Sequence, residues 1–245
     1  MKKKTLYILS IVLVLVLSLG YGAYYYYNDS YCYELGERYA KGLDSTSVDL
    51  KHAFDYYRKS AEFGNAKAQY ELGLCYADGK GVEKDYKEAV KWYRKSAEQG
   101  DVYAQNNLGV CYYEGEGVEK DYKEAVKWYR KSAEQGYVYA QFNLGACYAN
   151  GDGVEKDFKE AVKWYRKSAE QGYVYAQFNL GACYANGDGV IRDNVKAYAW
   201  LAVASANGDE NAKTYMNMLK NKMTSAKINE AVELAEKYLE GKFDE

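Results

Sequence analysis

Residues 101–136 read DVYAQNNLGVCYYEGEGVEKDYKEAVKWYRKSAEQG, and close copies of this block of 36 residues recur along the chain. Residues 137–154 and 173–190 are identical to each other. Tryptophan returns at the same interval, at Trp92, Trp128, Trp164 and Trp200. A fixed period of this length is typical of a solenoid, in which stacked units bury apolar faces that no unit can bury alone.

The first half of the block predicts a helix. Ala104, Leu108 and Cys111 recur at helical spacing and form one apolar face. Asp101 stands before them as an N-cap, and a pair of glycines follows the helix and breaks it. Gly109 lies in mid-helix, where glycine costs about 1 kcal/mol against alanine. Its recurrence in each block indicates the close approach of another helix.

The second half predicts a second helix that begins after its N-cap, Asp121. Its buried stripe, with Trp128 at the margin, consists of Tyr122, Ala125, Val126, Tyr129 and Ala133. The predicted fold is all-α: a right-handed α-solenoid of about five helix-turn-helix repeats, with a C-terminal helical cap and a preceding N-terminal apolar helix. The repeats are assigned to 29–64, 65–100, 101–136, 137–172 and 173–208. The cap is assigned to 209–245, with helices at Asn211–Met223 and Ser225–Glu240, the latter capped by Thr224.

Residues 1–28 are predicted to lie outside the repeats. Three lysines, Lys2 to Lys4, precede an uncharged stretch over 5–27, which is the order of an export or membrane-insertion signal. A cleaved signal peptide and an uncleaved anchor are the alternatives. We favour the anchor, because a membrane span needs about 20 apolar residues. In both cases the lysines stay in the cytoplasm and the repeats lie outside, either periplasmic or extracellular, tethered or secreted.

Four cysteines share one position in successive blocks: Cys75, Cys111, Cys147 and Cys183. Neighbouring packed helices lie about 8–10 Å apart, whereas a disulfide needs Cα atoms within about 7 Å. We therefore expect these thiols to act as small buried hydrophobes. Cys32 lies outside this periodicity.

Composition argues against several classes of function. The chain has one histidine, His52, so no histidine cluster can bind zinc and no Ser–His or Cys–His pair can recur. No Ser-x-x-Lys sequence occurs. The net charge of −2 gives no reason to expect a nucleic-acid partner. We therefore predict no enzyme activity, no cofactor and no metal site.

The block resembles the Sel-1-like repeat, a relative of the tetratricopeptide repeat. The matching residues are Ala104, Leu108-Gly109, Tyr112, Gly115, Gly117-Val118, Asp121, Ala125, Trp128-Tyr129, Ala133 and Gly136. The stretch from Lys222 through Ala235 is similar to the cap that closes many such arrays. The resemblance implies a scaffold or adaptor. One secreted, cysteine-rich branch of the family is linked to β-lactams, so a cell-envelope enzyme of the β-lactam hydrolase type is the alternative.

The resemblance also implies where a partner binds, since the first helix of each unit lines the concave side of related arrays. Aromatic side chains are enriched at binding surfaces. The predicted partner-binding residues are Tyr70, Tyr103, Asn106, Tyr113, Tyr139, Phe142, Tyr175 and Phe178. We expect them to bind an extended peptide or a sugar-containing polymer; the alternative is that they pack within or between repeats. The predicted function is a non-enzymatic scaffold, membrane-tethered through 5–27 or exported, for a protein or cell-envelope polymer.

Overall fold

The computed structural model describes residues 29–43 and 47–243. These residues contain twelve helices and no strand. The helices are α1 (29–41), α2 (Leu50–Glu62), α3 (Ala66–Asp78), α4 (Tyr86–Glu98), α5 (Val102–Glu114), α6 (Tyr122–Glu134), α7 (Val138–Asn150), α8 (Phe158–Glu170), α9 (Val174–Asn186), α10 (Asn194–Ala206), α11 (Glu210–Lys220) and α12 (Ser225–Leu239). None of these helices has both the length and the apolar character that a membrane crossing requires. The predicted apolar helix at 5–27 lies outside the described residues.

The described residues form two compact units. The first unit extends to Ala104 and includes 116–118, and in it α3 packs against both α2 and α4. The second unit comprises 105–115 and the chain from Glu119 onward. Within it each helix from α6 to α10 packs against the next, and α11 and α12 both pack against α10. The all-α architecture of successive helix pairs is thereby confirmed.

The hairpin of α7 and α8 shows how the sequence sets each turn. α7 is followed by Gly151, whose φ of 87° lies in the left-handed region that favours glycine. Asp157 then caps α8, because its carboxylate accepts hydrogen bonds from the backbone N–H groups of Lys159 at 2.8 Å and Glu160 at 3.2 Å. Asp121 makes the same two bonds at the start of α6, which confirms the predicted cap.

The mid-helix glycine permits the close approach that its recurrence indicated. A Cβ atom on Gly109 would lie only 2.6 Å from Cδ1 of Tyr129. The Tyr129 ring is 3% exposed and fills the space that a side chain at Gly109 would take. Burial of this ring offsets the helix propensity that glycine loses, about 1 kcal/mol.

The predicted position of Trp128 at the margin of the buried stripe is wrong. This side chain is 4% exposed and therefore buried. Two lysines of the same helix cover it: the Nζ atom of Lys131 lies 4.3 Å from the ring centroid and that of Lys127 lies 5.9 Å away. Long lysine stems bury apolar surface while their ammonium groups stay in water, which a count of apolar positions does not capture.

The first cap helix is shorter than expected. It was predicted over Asn211–Met223, whereas α11 ends at Lys220. The chain leaves the helix in a tight turn, in which the amide of Met223 donates to the carbonyl of Lys220 at 3.2 Å. Thr224 then begins α12, as predicted, by accepting a hydrogen bond from the backbone of Lys227 at 3.4 Å.

All five cysteines are free and buried. Burial raises the pKa of Cys147 to about 12 and that of Cys183 to about 11. These thiols are therefore protonated near neutral pH, which makes them poor nucleophiles and poor metal ligands. Among the described residues, no group of three or more His, Cys, Asp and Glu side chains is arranged to hold a metal ion.

Candidate functional site

The first helices of the last two repeats carry no charge. α7 and α9 both have the sequence VYAQFNLGACYAN, in which no residue is acidic or basic. The second helices α6 and α8 are rich in lysine and glutamate, and their ion pairs lie along the same helix: Lys127 to Glu124 at 3.0 Å and Lys163 to Glu160 at 3.2 Å. The surface of α7 and α9 is thus neutral, whereas the charges of this unit concentrate on the other helices.

Large aromatic side chains are exposed on this neutral surface. Tyr139 is 46% exposed on α7, and Tyr175, at the equivalent position of α9, is 55% exposed. Phe142 lies half-buried between them, with its ring centroid 6.4 Å from that of Tyr175 and 5.8 Å from that of the buried Tyr165. Exposed aromatic area of this kind is unusual on a surface that only contacts water.

Tyr173 joins these rings into one cluster. Its ring centroid lies 5.0 Å from Tyr139, 5.1 Å from Phe142 and 5.4 Å from Tyr175, with interplanar angles of 80°, 73° and 70°. Edge-to-face contacts of this geometry are favourable. Burial also raises the pKa of Tyr173, so its hydroxyl stays a neutral donor.

Tyr137 adds to this cluster, and a second pair of rings lies on α9 and α11. Tyr137 packs edge-on against Tyr139 at 5.3 Å, and Phe178 packs edge-on against Tyr215 of α11 at 5.1 Å. Tyr215 is 41% exposed. We call the whole set the tyrosine face: Tyr137, Tyr139, Phe142, Tyr173, Tyr175, Phe178 and Tyr215.

Two members of the tyrosine face replace helix caps. Tyr137 and Tyr173 occupy the N-cap positions of α7 and α9, and neither side chain makes a capping hydrogen bond. At the equivalent positions of α3 and α11, Asn65 and Asp209 each accept a bond from the helix backbone, at 3.0 Å and 2.9 Å. A lost cap costs about 1 kcal/mol. The chain therefore departs from capping at the two positions where the aromatic cluster lies.

The uncapped start of α7 predicts that two substitutions at Tyr137 differ in stability. We expect Tyr137→Asp to be about 1 kcal/mol more stable than Tyr137→Ala, because only aspartate can cap α7. Both variants lose the contact with Tyr139, so the comparison isolates the cap. Thermal unfolding followed by circular dichroism should show a midpoint about 2–4 °C higher for the aspartate variant. Equal unfolding midpoints would show that a capping side chain at position 137 does not stabilise α7.

The predicted binding residues divide between the two units and differ in exposure. Tyr139, Phe142, Tyr175 and Phe178 lie on the tyrosine face. In the first unit Tyr70 and Tyr103 contact each other at 5.7 Å, and Tyr103 is 47% exposed.

Two further predicted residues have their polar groups satisfied within the second unit. Asn106 is only 6% exposed, and its Oδ1 accepts a hydrogen bond from Asn143 at 3.2 Å, so it contributes little surface. Tyr113 is half-buried, and its hydroxyl donates to Oδ2 of Asp152 at 2.9 Å. Burial and this bond raise the pKa of Tyr113 to about 12.

The first unit carries acidic groups among its tyrosines. The hydroxyl of Tyr57 donates to Oε1 of Glu37 at 2.7 Å. Burial raises the pKa of Glu71, and the nearby carboxylate of Glu37 raises it further. The tyrosines of this unit therefore have an acidic environment, whereas α7 and α9, which with their N-caps supply every residue of the tyrosine face except Tyr215, carry no charge.

Sequence reasoning missed Tyr137, Tyr173 and Tyr215. For the first two a signal was present, since the start of each block offers Asn65, Asp101, Tyr137, Tyr173 and Asp209 in turn. Three of these residues can cap a helix and two cannot. Tyr215 lies outside the repeats and had no such signal.

Comparisons with known proteins give matches of two kinds. The Sel1 repeat family model matches residues 29–65, 66–101, 102–137, 138–173 and 174–209. A protective antigen of uropathogenic Escherichia coli with an SLR fold is 42% identical, with a TM-score of 0.80, over 87% of this chain and 46% of that protein, so this chain spans less than half of its length. A Sel1 repeat protein from Oxalobacter formigenes is 38% identical, with a TM-score of 0.74, over 87% of this chain and 86% of that one. No curated protein matches the sequence.

Proposed function

Because the chain belongs to the Sel1 repeat family, whose members are generally protein-interaction scaffolds, we propose that it is a scaffold that holds a partner protein on the tyrosine face. The replacement of two helix caps by Tyr137 and Tyr173 carries the proposal. Each replacement lowers the stability of its helix and enlarges the aromatic surface, which is the trade expected at a binding site.

The physical properties of the face suit protein binding. Tyrosine supplies a large rigid contact area with few rotatable bonds, so little conformational entropy is lost when a partner covers it. The most exposed rings are Tyr139, Tyr175 and Tyr215, at 46%, 55% and 41%. Their edge-to-face neighbours hold them in place before binding, which lowers the cost of ordering the interface.

The scaffold is proposed to act outside the cytoplasm, tethered by residues 5–27. The support is the lysine-then-apolar order of the first residues, which suits insertion with the N-terminus in the cytoplasm. The similar protein of uropathogenic E. coli is a protective antigen, which agrees with an exported location.

The experiment compares partner capture by the full chain and by two double variants. We expect Tyr139→Ser with Tyr175→Ser to reduce crosslinked partner at least about tenfold, since buried aromatic anchors each contribute about 2 kcal/mol or more. The matched control is Lys127→Ser with Lys163→Ser, which changes side chains of similar exposure, 54% and 55%, on α6 and α8.

Equal capture by both double variants, with unchanged helicity, would overturn the binding face. Protease added to intact cells forms a second arm of this experiment. Digestion of the repeats supports the exported location, and protection of the repeats in spheroplasts contradicts it.

A further inference from the structure

We propose that the tyrosine face binds a proline-rich segment of its partner in the polyproline II conformation. The inference rests on the proposed function and narrows it to one class of ligand. It is carried by the neutrality of α7 and α9, by the hydrogen-bonding groups that they offer, and by the spacing of their tyrosines.

The hydrogen-bonding groups of this surface favour a ligand that offers acceptors. A polyproline II helix makes no internal hydrogen bonds, and proline has no N–H, so such a ligand needs only donors from its receptor. Tyrosine hydroxyls of the face can donate, and so can the side-chain amides of Asn143 on α7 and Asn179 on α9. One N–H of each amide is used internally, on Asn106 at 3.2 Å and on the carbonyl of Tyr175 at 2.8 Å. Because an amide carries two N–H groups, each retains a second donor.

The absence of charge on α7 and α9 favours an uncharged ligand. α7 and α9 contain no acidic or basic residue, and a proline-rich segment likewise needs none. A neutral ligand on a neutral aromatic surface leaves no charge without a partner when water is expelled. A strongly charged peptide would have to lose hydration here without an ion pair in return, which disfavours it.

One turn of a polyproline II helix is about as long as the spacing between packed α-helices. Polyproline II has three residues per turn and a rise of about 3.1 Å, so one turn advances about 9 Å. Packed helices lie about 8–10 Å apart. We infer a similar spacing for α7 and α9, whose side chains meet on this face: the ring centroid of Phe142 lies 6.4 Å from that of Tyr175. One turn of the ligand therefore spans one repeat, and every third residue meets an equivalent tyrosine.

An extended β-strand does not satisfy this spacing. It rises about 3.3 Å per residue and its side chains alternate between two sides. Three residues again span about 10 Å, but the third residue along then points away from the receptor. Only a polyproline II helix, with three residues per turn, presents the same side to both Tyr139 and Tyr175.

The rings of the face stand at steep angles to one another. Tyr173 lies at 80° to Tyr139 and at 70° to Tyr175, so the surface presents both faces and edges of aromatic rings. Proline-rich segments bind surfaces lined by aromatic rings, because their conformation is set before binding. These 245 residues contain no proline, so none of them supplies the proposed ligand.

The probe is a fluorescein-labelled decaproline peptide, titrated with the purified full chain and followed by fluorescence anisotropy. We expect saturable binding at least about tenfold tighter than that of a Gly-Ser decamer or a threonine-rich decamer, since neither is preorganised as polyproline II. Tyr173→Asp removes the central ring and restores the cap of α9, so we expect it to fold and to bind decaproline at least about tenfold more weakly.

Three outcomes would overturn the inference: no preference for decaproline, unchanged affinity in Tyr173→Asp, or binding of chitohexaose in its place. The double variant Tyr139→Ser with Tyr175→Ser provides a second test, because both side chains are exposed and their removal leaves the core intact. If decaproline does not bind while partner capture still depends on these tyrosines, the proposed ligand class is wrong and the proposed function is retained.

Discussion

Gly153→Ala is expected to destabilise the protein by more than about 3 kcal/mol, while Gly172→Ala costs about 1 kcal/mol. Both glycines have positive φ, 71° and 91°, so both substitutions carry the strain of a left-handed alanine. They differ in the space around the new methyl group. At Gly153 it would overlap the carbonyl group of Tyr122 and lie 2.8 Å from the backbone nitrogen of Lys123, whereas at Gly172 nothing lies within 4 Å.

The difference arises because Gly153 touches the first turn of α6, in the preceding repeat. A flexible side chain could move aside, but these atoms belong to the backbone of a helix. The repeat must therefore shift as a body, or the contact must open. Urea unfolding of the two variants, followed by circular dichroism, measures the two costs. A loss of stability at Gly153 no larger than that at Gly172 would show that the two repeats separate without cost.

The buried glutamines show why sequence predicted the helices better than the contacts between them. Four successive blocks carry a glutamine at one shared position, Gln69, Gln105, Gln141 and Gln177, and periodicity alone does not say what these side chains contact. In the structure Gln141 donates to the carbonyl of Ala133 at 3.2 Å and accepts from Gln171 at 2.7 Å. These bonds join the end of α8 to α7 and join α7 to α6, so they form only once these helices have packed together. Caps and glycine turns were predictable because their partners lie within a few residues.

The candidate site shows the same difference between features that depend on nearby residues and contacts between helices. The exposed positions Tyr139 and Tyr175 followed from their place on the first helices. Asn106 shares its position in the block with Phe142, yet it turns inward because its amide can bond to Asn143, and a phenyl ring cannot. Tyr173 was missed because its role depends on rings from two helices. Position along the repeat thus indicated which residues lie on the first helices, while the side-chain chemistry at each position decided which of them remain exposed.

Removal of residues 209–245 is expected to abolish soluble, cooperative folding. These residues hold α11 and α12, which cover α10. Trp200 of α10 is 1% exposed and stacks on Tyr238 at 4.6 Å and on Phe243 at 5.7 Å. Each large side chain uncovered costs about 1.5–3 kcal/mol, and an uncapped repeat presents this surface to other molecules. Size-exclusion chromatography should show aggregates, and thermal unfolding should lose its sigmoidal shape.

Deletion of residues 137–172 removes nearly as many residues and should leave a folded, soluble protein. The junction brings residues 173–190 directly after α6, and this stretch is identical to 137–154, which α6 already packs against. No apolar face is left bare, so we expect only a lower unfolding midpoint from the loss of one repeat and its interface. If the deletion aggregates as the truncation does, the repeats are not interchangeable. If the truncation stays as soluble as the deletion, the cap is not needed to cover α10.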